Sequence, residues 1–367
     1  MKNNRKLLGT FVFALLFMYP MVACGQNNGT KDVNNNDTNN VYAAGSYKLG
    51  NKEIACYWKN GTRTDLAVPE NAIEASASGG IAVQGNKVYV SGFYSIDEKA
   101  TACYWVNGER IDLTVPSGAT TSNTNGIAIL GNKVYVIGTY SIDIDKDINK
   151  WKACYWIDGT RTDLPVPAGT IGSIARVITI VGNNIYIAGS YWDDNKGTFF
   201  YWINGKITDL AIPAGPCRRG SGPYFNSPSG ITVQENKVNI SGNYLTPTPD
   251  GNANKMTPFY WSNGTRTDLY DDTFTVTTGI AVQGNNLYII GYDIGKHVPC
   301  YWANGDRDYL DDFSQANSIV VQKDKVYIAG SNQGNTASYS VNGIRTDLNV
   351  PLGTRSSYAS CITVVTK

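Results

Sequence analysis

One short motif, met again and again along the chain, constrains the fold more than any other feature. The pair Tyr-Trp stands at Tyr57-Trp58, Tyr104-Trp105, Tyr155-Trp156, Tyr201-Trp202, Tyr260-Trp261 and Tyr301-Trp302, with Tyr339-Ser340 as a degraded seventh copy. Successive copies are 47, 51, 46, 59, 41 and 38 residues apart. Two positions after each Trp, or after Ser340, comes a turn dipeptide: Asn60-Gly61, Asn107-Gly108, Asp158-Gly159, Asn204-Gly205, Asn263-Gly264, Asn304-Gly305 and Asn342-Gly343. Asn-Gly and Asp-Gly tolerate positive φ at both central positions of a type I′ turn, so each dipeptide marks a two-residue hairpin. A second hairpin precedes every copy after the first, as in residues 80–84 and 87–91 around Gly85-Asn86, and it returns near Ile127, Ile178, Ile231, Ile280 and Ile319.

Each unit thus holds four short strands, A to D, and a four-stranded period of this length is the signature of a propeller blade. The competing architecture is a linear solenoid, and the termini decide against it. The chain enters its first unit at strand B, residues 41–45, and its last residues, 361–365, read as an orphan strand A. Supplying that strand to the first unit removes both exposed edges, which a linear stack leaves open. The expected fold is all-β: a seven-bladed β-propeller over residues 41–367, closed by a C-terminal strand A joining N-terminal strands B, C and D. The 38 Gly, 24 Tyr and 8 Trp suit strands and tight turns. The blades resemble those of bacterial secreted and lipoprotein β-propellers with Tyr-Trp-x-Asn-Gly repeats, a largely uncharacterised group. The resemblance covers residues 41–367, implies the architecture, and supplies no active site, because propellers host binding modules, scaffolds and enzymes alike.

The first 40 residues read as an address. Lys2, Arg5 and Lys6 precede an apolar run from Leu7 to Met18, and the stretch closes on Ala23, Cys24 and Gly25. That is the layout of a signal peptide, residues 1–23, and the run is shorter than the roughly 20 residues a spanning helix needs. Met21-Val22-Ala23-Cys24 resembles the bacterial lipobox, which implies lipidation of Cys24 after cleavage. The polar tract that follows, with residues 24–40 as lipidated Cys and flexible tether, cannot pack. The expected location is the bacterial cell envelope, lipid-anchored, at the outer membrane or cell surface. Cleavage removes three basic residues, leaving 28 against 30 acidic. With charge so balanced, nucleic acid is not an expected partner.

Residues that look chemical mostly recur with the fold. Asp65, Asp112, Asp163, Asp209, Asp268 and Asp347 precede Leu on the D strands, with Tyr309 as the exception. Arg63, Arg110, Arg161, Arg266, Arg307 and Arg345 stand two residues earlier, on the same strand face, where Arg and Asp can pair. Cys56, Cys103, Cys154 and Cys300 occupy one C-strand position in different units, too far apart for disulfides and filled elsewhere by Phe200 and Phe259. Cys217, beside two arginines, is the expected accessible thiol. The acidic run 143–147 lacks the Gly and Glu of an EF-hand loop, so no metal is expected, and no cofactor. His297, the one histidine, has no partner by spacing and is expected to be exposed.

Antiparallel strands send the A-to-B and C-to-D turns to one face and the longer B-to-C and D-to-A loops to the other. The loop face is the expected binding face, since recognition residues concentrate on loops held by a scaffold. Aromatic residues outside the repeat gather there: Trp151, Trp192, Tyr224 and Phe225, with Arg218 and Arg219 beside them. This sector is the expected site for an unknown protein or glycan ligand. The functional expectation is a binding or scaffolding lipoprotein, not an enzyme. The alternatives are a polysaccharide lyase or glycosidase, which needs paired carboxylates absent from the repeat pattern, or an envelope assembly lipoprotein.

Overall fold

The computed structural model describes residues 39–142, 150–193, 196–212, 227–247, 254–269 and 274–366. All regular elements among them are β-strands. The signal segment, Cys24, the acidic run 143–147 and Cys217 lie outside the described residues.

The chain enters through β1 (Asn39–Leu49), β2 (Lys52–Lys59) and β3 (Thr62–Asp65), then builds β4 (Glu74–Gln84), β5 (Lys87–Ile96), β6 (Lys99–Val106) and β7 (Glu109–Asp112). Five four-stranded antiparallel sheets follow between Thr121 and Asp347. The C-terminal strand, Thr354–Thr366, returns to pair with the whole of β1, from Asn39 opposite Thr366 to Leu49 opposite Thr354. It is longer at both ends than the expected pairing of 41–45 with 361–365. One eight-stranded sheet therefore stands beside the five: the C-terminal strand, β1, β2 and β3 joined to β4 through β7. The join is a single parallel pair, Glu53 opposite Glu74. The same kind of contact links other neighbouring sheets, where Ser173 N donates to Trp151 O and Ser357 N to Asn335 O. The inner strands follow one another around a closed path: the C-terminal strand, β4, Thr121–Leu130, Gly172–Val181, Ser227–Gln234, Thr275–Gln283, Phe313–Gln322, and back to the C-terminal strand. This is a β-propeller.

Its core lies between sheets rather than inside one. Trp58 packs with Tyr327 and Leu348 of the preceding sheet, and Trp105 with Tyr42 and Ala44. The indole N–H groups of Trp58, Trp105 and Trp156 each donate 2.7 Å to a carbonyl of the preceding sheet's outer connection, at Asn349, Ala67 and Thr114. Phe at these positions would leave the carbonyl without this donor, and a buried polar group left unpaired costs about 1–3 kcal/mol, which favours Trp.

The Asn or Asp of every C-to-D turn has a second task. Each turns the chain at positive φ, and its side-chain oxygen accepts the backbone N–H at the start of strand B, as Asn60 does from Val41 and Asp158 from Val134. Both residue types carry that oxygen, which is why Asp158 substitutes freely. Each inner strand carries a β-bulge beside a strand-B glycine. A Cβ on Gly92 would overlap the Ser76 carbonyl oxygen, and one on Gly330 that of Gln315.

Candidate active site

Most of the repeated charge is structural. On the outer strands Arg63, Arg110, Arg161 and Arg266 pair at 2.8–3.0 Å with the Asp two residues on, and each guanidinium lies over the ring of a strand-B tyrosine. The phenols of Tyr47, Tyr140, Tyr191 and Tyr244 donate at 2.9–3.1 Å to the strand-D carboxylates of Asp65, Asp163, Asp209 and Asp268. Burial and the adjacent carboxylate push Tyr47 up to about 12, so the phenols stay protonated donors. The buried thiols of Cys56, Cys103 and Cys154 are pushed well up by desolvation, as expected of core positions. His297 is exposed.

At the loop face, where the first two units meet, the pattern breaks. Glu53 is the second residue of β2 and Glu74 begins β4, and their backbones lie side by side through the parallel pair, with Glu53 N donating 3.2 Å to Ile73 O. Glu53 Oε1 accepts hydrogen bonds from Ser46 Oγ at 2.6 Å and from the Tyr358 hydroxyl of the C-terminal strand. Ser76 Oγ reaches the Tyr358 oxygen at 3.4 Å. Ser46 lies opposite Tyr358, and Lys48 opposite both Glu53 and Ser356, so these side chains share the face of the first unit that turns toward β4. Burial, and then the nearby Glu53 charge, raise the Glu74 pKa; Lys48 and a hydrogen bond from Ser95 oppose that shift. One carboxyl group with a raised pKa thus stands beside another whose Oε1 accepts from two hydroxyl groups. Among the described residues no group of three or more His, Cys, Asp or Glu is arranged to hold a metal ion.

Sequence reasoning missed this pair because it searched the repeated positions. The signal lies in the departures. Where β2 has Glu53, the corresponding C-strand positions hold Ala100, Trp151, Gly197, Met256, His297 and Asn335. Where the C-terminal strand has Tyr358, the other inner strands hold Ser76, Asn123, Ile174, Ser227, Val276 and Gln315. Of the residues expected to bind ligand, Trp192 ends a strand and is 5% exposed, while Trp151 is half-buried at the position equivalent to Glu53. Among the described residues neither indole N–H has a partner. Arg218, Arg219, Tyr224 and Phe225 lie outside the described residues.

No protein-family profile matches the chain, and no curated protein sequence matches it. Solved structures resemble it at low identity. A neuraminidase-like protein from A/bat/Guatemala/164/2009 is 11% identical with a TM-score of 0.41, over 67% of this chain and 74% of that one. A GH43 endo-arabinanase from Bacillus licheniformis is 14% identical, TM-score 0.34, over 66% and 99%. The Bombyx mori GH32 β-fructofuranosidase BmSUC1 is 9% identical, TM-score 0.36, over 95% and 90%. The expectation that the chain is not an enzyme is corrected here: the solved structures it resembles include glycoside hydrolases, a likeness of fold, and two carboxylates outside the repeat pattern, Glu53 and Glu74, stand on neighbouring strands. They were invisible in the repeat because they stand 21 residues apart on different units.

Proposed function

We propose that the chain is a glycan hydrolase built on a seven-bladed propeller, with Glu74 as general acid and Glu53 as its anionic partner. The observation that carries this reading is the meeting of two carboxyl groups from adjacent sheets, one with its pKa raised by burial and by the other's charge. In the reaction the Glu74 proton passes to the glycosidic oxygen as the bond to the anomeric carbon breaks. The Glu53 carboxylate, oriented by Ser46 and Tyr358, stabilises the positive charge developing at that carbon. Water completes the hydrolysis and restores the proton to Glu74. Tyr358 belongs to the closing strand, so closure of the ring also assembles the site.

The count of seven rests on treating the eight-stranded sheet as two blades joined by a contact that recurs between other sheets. The envelope reading keeps its sequence basis, Cys24, and gains a geometrical consequence. The described chain begins at Asn39, opposite Thr366 and beside Asn60 of a tight turn, whereas Glu53 lies near the far end of β1. At about 3.3 Å per residue the strand spans roughly 30 Å. A lipid on Cys24 would join the chain at the turn-face end of β1, the end away from the carboxylate pair.

The test is release of reducing ends from a panel of polysaccharides by the whole secreted chain. Glu74→Gln should lower the rate at least about a hundredfold. An aryl glycoside with a good leaving group, which needs no protonation, should recover most of that loss. A Glu74→Gln variant equally slow on both substrates, or as fast as the parent on the panel, would refute the assignment.

A further inference from the structure

The arginines of the outer strands pair with aspartates, but three cations at the loop end of the first unit do not. Lys48 on β1, Lys52 on β2 and Arg355 on the C-terminal strand are all exposed, and among the described residues none of them forms an ion pair. The strands bring them together: Lys48 lies opposite Ser356, Leu49 opposite both Lys52 and Thr354. The register shift between those pairs leaves Arg355 bulged out between them. The Lys52 ammonium is spent only on a 3.4 Å contact with the Glu70 carbonyl. The two carboxylates within reach are already engaged, Glu53 by Ser46 and Tyr358 and Glu74 by Ser95. Exposed Leu49, Ile73 and Leu352 border the same rim; Ile73 hydrogen-bonds to Glu53, and Leu49 lies against Gly353.

We propose that this rim is an anion subsite, and that the Glu53–Glu74 centre takes a glycan carrying a carboxylate or sulfate on the ring beside the scissile bond; the inference rests on the hydrolase reading above. A site built for a neutral sugar has no use for three cations without an ion pair at its mouth, which favour the approach of an anion. Lys48 faces the catalytic carboxylate across one strand pair, close enough for its charge to act on Glu74. A bound anion at Lys48 and Arg355 sets the adjacent glycosidic oxygen beside Glu74, and the apolar rim lies against the C–H faces of the ring. A carboxylate and a sulfate present the same charge to these side chains, so the two are separated by experiment.

The measurement is binding by the whole chain carrying Glu74→Gln, which holds substrate without turnover, to oligogalacturonate, to a sulfated oligosaccharide and to neutral xylo-oligosaccharide. One of the anionic probes should bind at least about tenfold tighter than the neutral one, with an advantage that shrinks as salt rises. Adding Lys48→Ala and Arg355→Ala, both exposed and outside the core, should remove that advantage while the melting temperature stays near the parent's. Equal binding of all three probes, no binding of any, or an advantage untouched by the two substitutions overturns the subsite. If the subsite behaves as expected but Glu74→Gln still hydrolyses the preferred glycan, the acid assignment fails instead. If a neutral glycan is cleaved in a Glu74-dependent way at a rate indifferent to Lys48 and Arg355, the hydrolase stands without the subsite.

Discussion

Asp293 and Tyr309 show how a residue pair can change both members and keep one interaction. In the units with Tyr47, Tyr140, Tyr191 and Tyr244 the phenol comes from strand B and the carboxylate from strand D. In the unit of residues 275–309 the positions are exchanged: Asp293 stands on strand B, Tyr309 on strand D, and the hydrogen bond persists at 3.1 Å. Arg307 follows the carboxylate, reaching Asp293 at 2.8 Å instead of an Asp two residues on. The exchange buries the acid completely, and removing a buried ion's partner costs about 3–5 kcal/mol, against less than about 1 kcal/mol at a solvent-exposed pair. Arg307→Met, which takes this partner from buried Asp293, should therefore lose about that much stability in urea titration. Asp293→Tyr and Tyr309→Asp should each destabilise alone, while the double variant recovers most of the loss by restoring the common arrangement; simple additivity would refute the coupling. Glu74 gives a second residue-scale prediction. Its folded-state pKa is raised, so the folded protein holds that proton more tightly than the unfolded chain, and stability is lost as pH rises through the folded value. Glu74→Gln should accordingly melt higher than the parent at pH 7, with the difference vanishing below the ordinary glutamate pKa of about 4.3. Hydrolysis should fall on the alkaline side as the same proton is lost. A variant that melts lower at pH 7 would mean that the acid is held by contacts stronger than its burial and its neighbour's charge.

At the scale of elements, the inner hairpin is kept in register by a bulge that brings strand A against a strand-B glycine. Substituting Gly92 by Ala forces the Ser76 carbonyl away from its place, with an expected cost of about 3 kcal/mol or more, read as a lowered melting temperature. The C-terminal strand is the other element whose loss has a definite consequence. Deleting residues 361–367 leaves Asn39 to Ala44 without a partner on one side, and it removes Ile362 from the core shared with Trp58 and Tyr327. The truncated chain should aggregate or lose cooperative unfolding; a parent-like melting curve would refute closure by this strand. Because Tyr358 lies in the part that remains, any residual folded fraction should also show how far the Glu53 network survives an open edge.

For the whole molecule, the decisive quantities are closure and attachment. If Cys24 carries lipid, the protein should label with palmitate and partition into detergent, and Cys24→Ala should abolish both; label retained in that variant would refute the anchor. The hydrolase reading adds a second requirement. On intact cells, a macromolecular glycan too large to cross the envelope should be degraded only if the anchored molecule sits at the surface.

Sequence alone determined the strands, their turns and the pairing of first with last, because each depends on local chemistry repeated at a readable interval. Asn-Gly sets a turn, Tyr-Trp marks the strand before it, and an unmatched strand at each end leaves one economical way to satisfy the edges. The exchange of Asp293 with Tyr309 was half legible: Tyr309 stood out on strand D, but its partner across the sheet did not. Only the tertiary structure decided the site. Glu53 and Glu74 stand 21 residues apart on different units, Tyr358 lies on the C-terminal strand, and no periodicity ties the three together. They meet because the ring closes, setting the last strand beside the first and the first unit against the second. The raised pKa of Glu74 is likewise a property of that meeting, since desolvation and a neighbouring charge act through space and leave no mark in the order of residues.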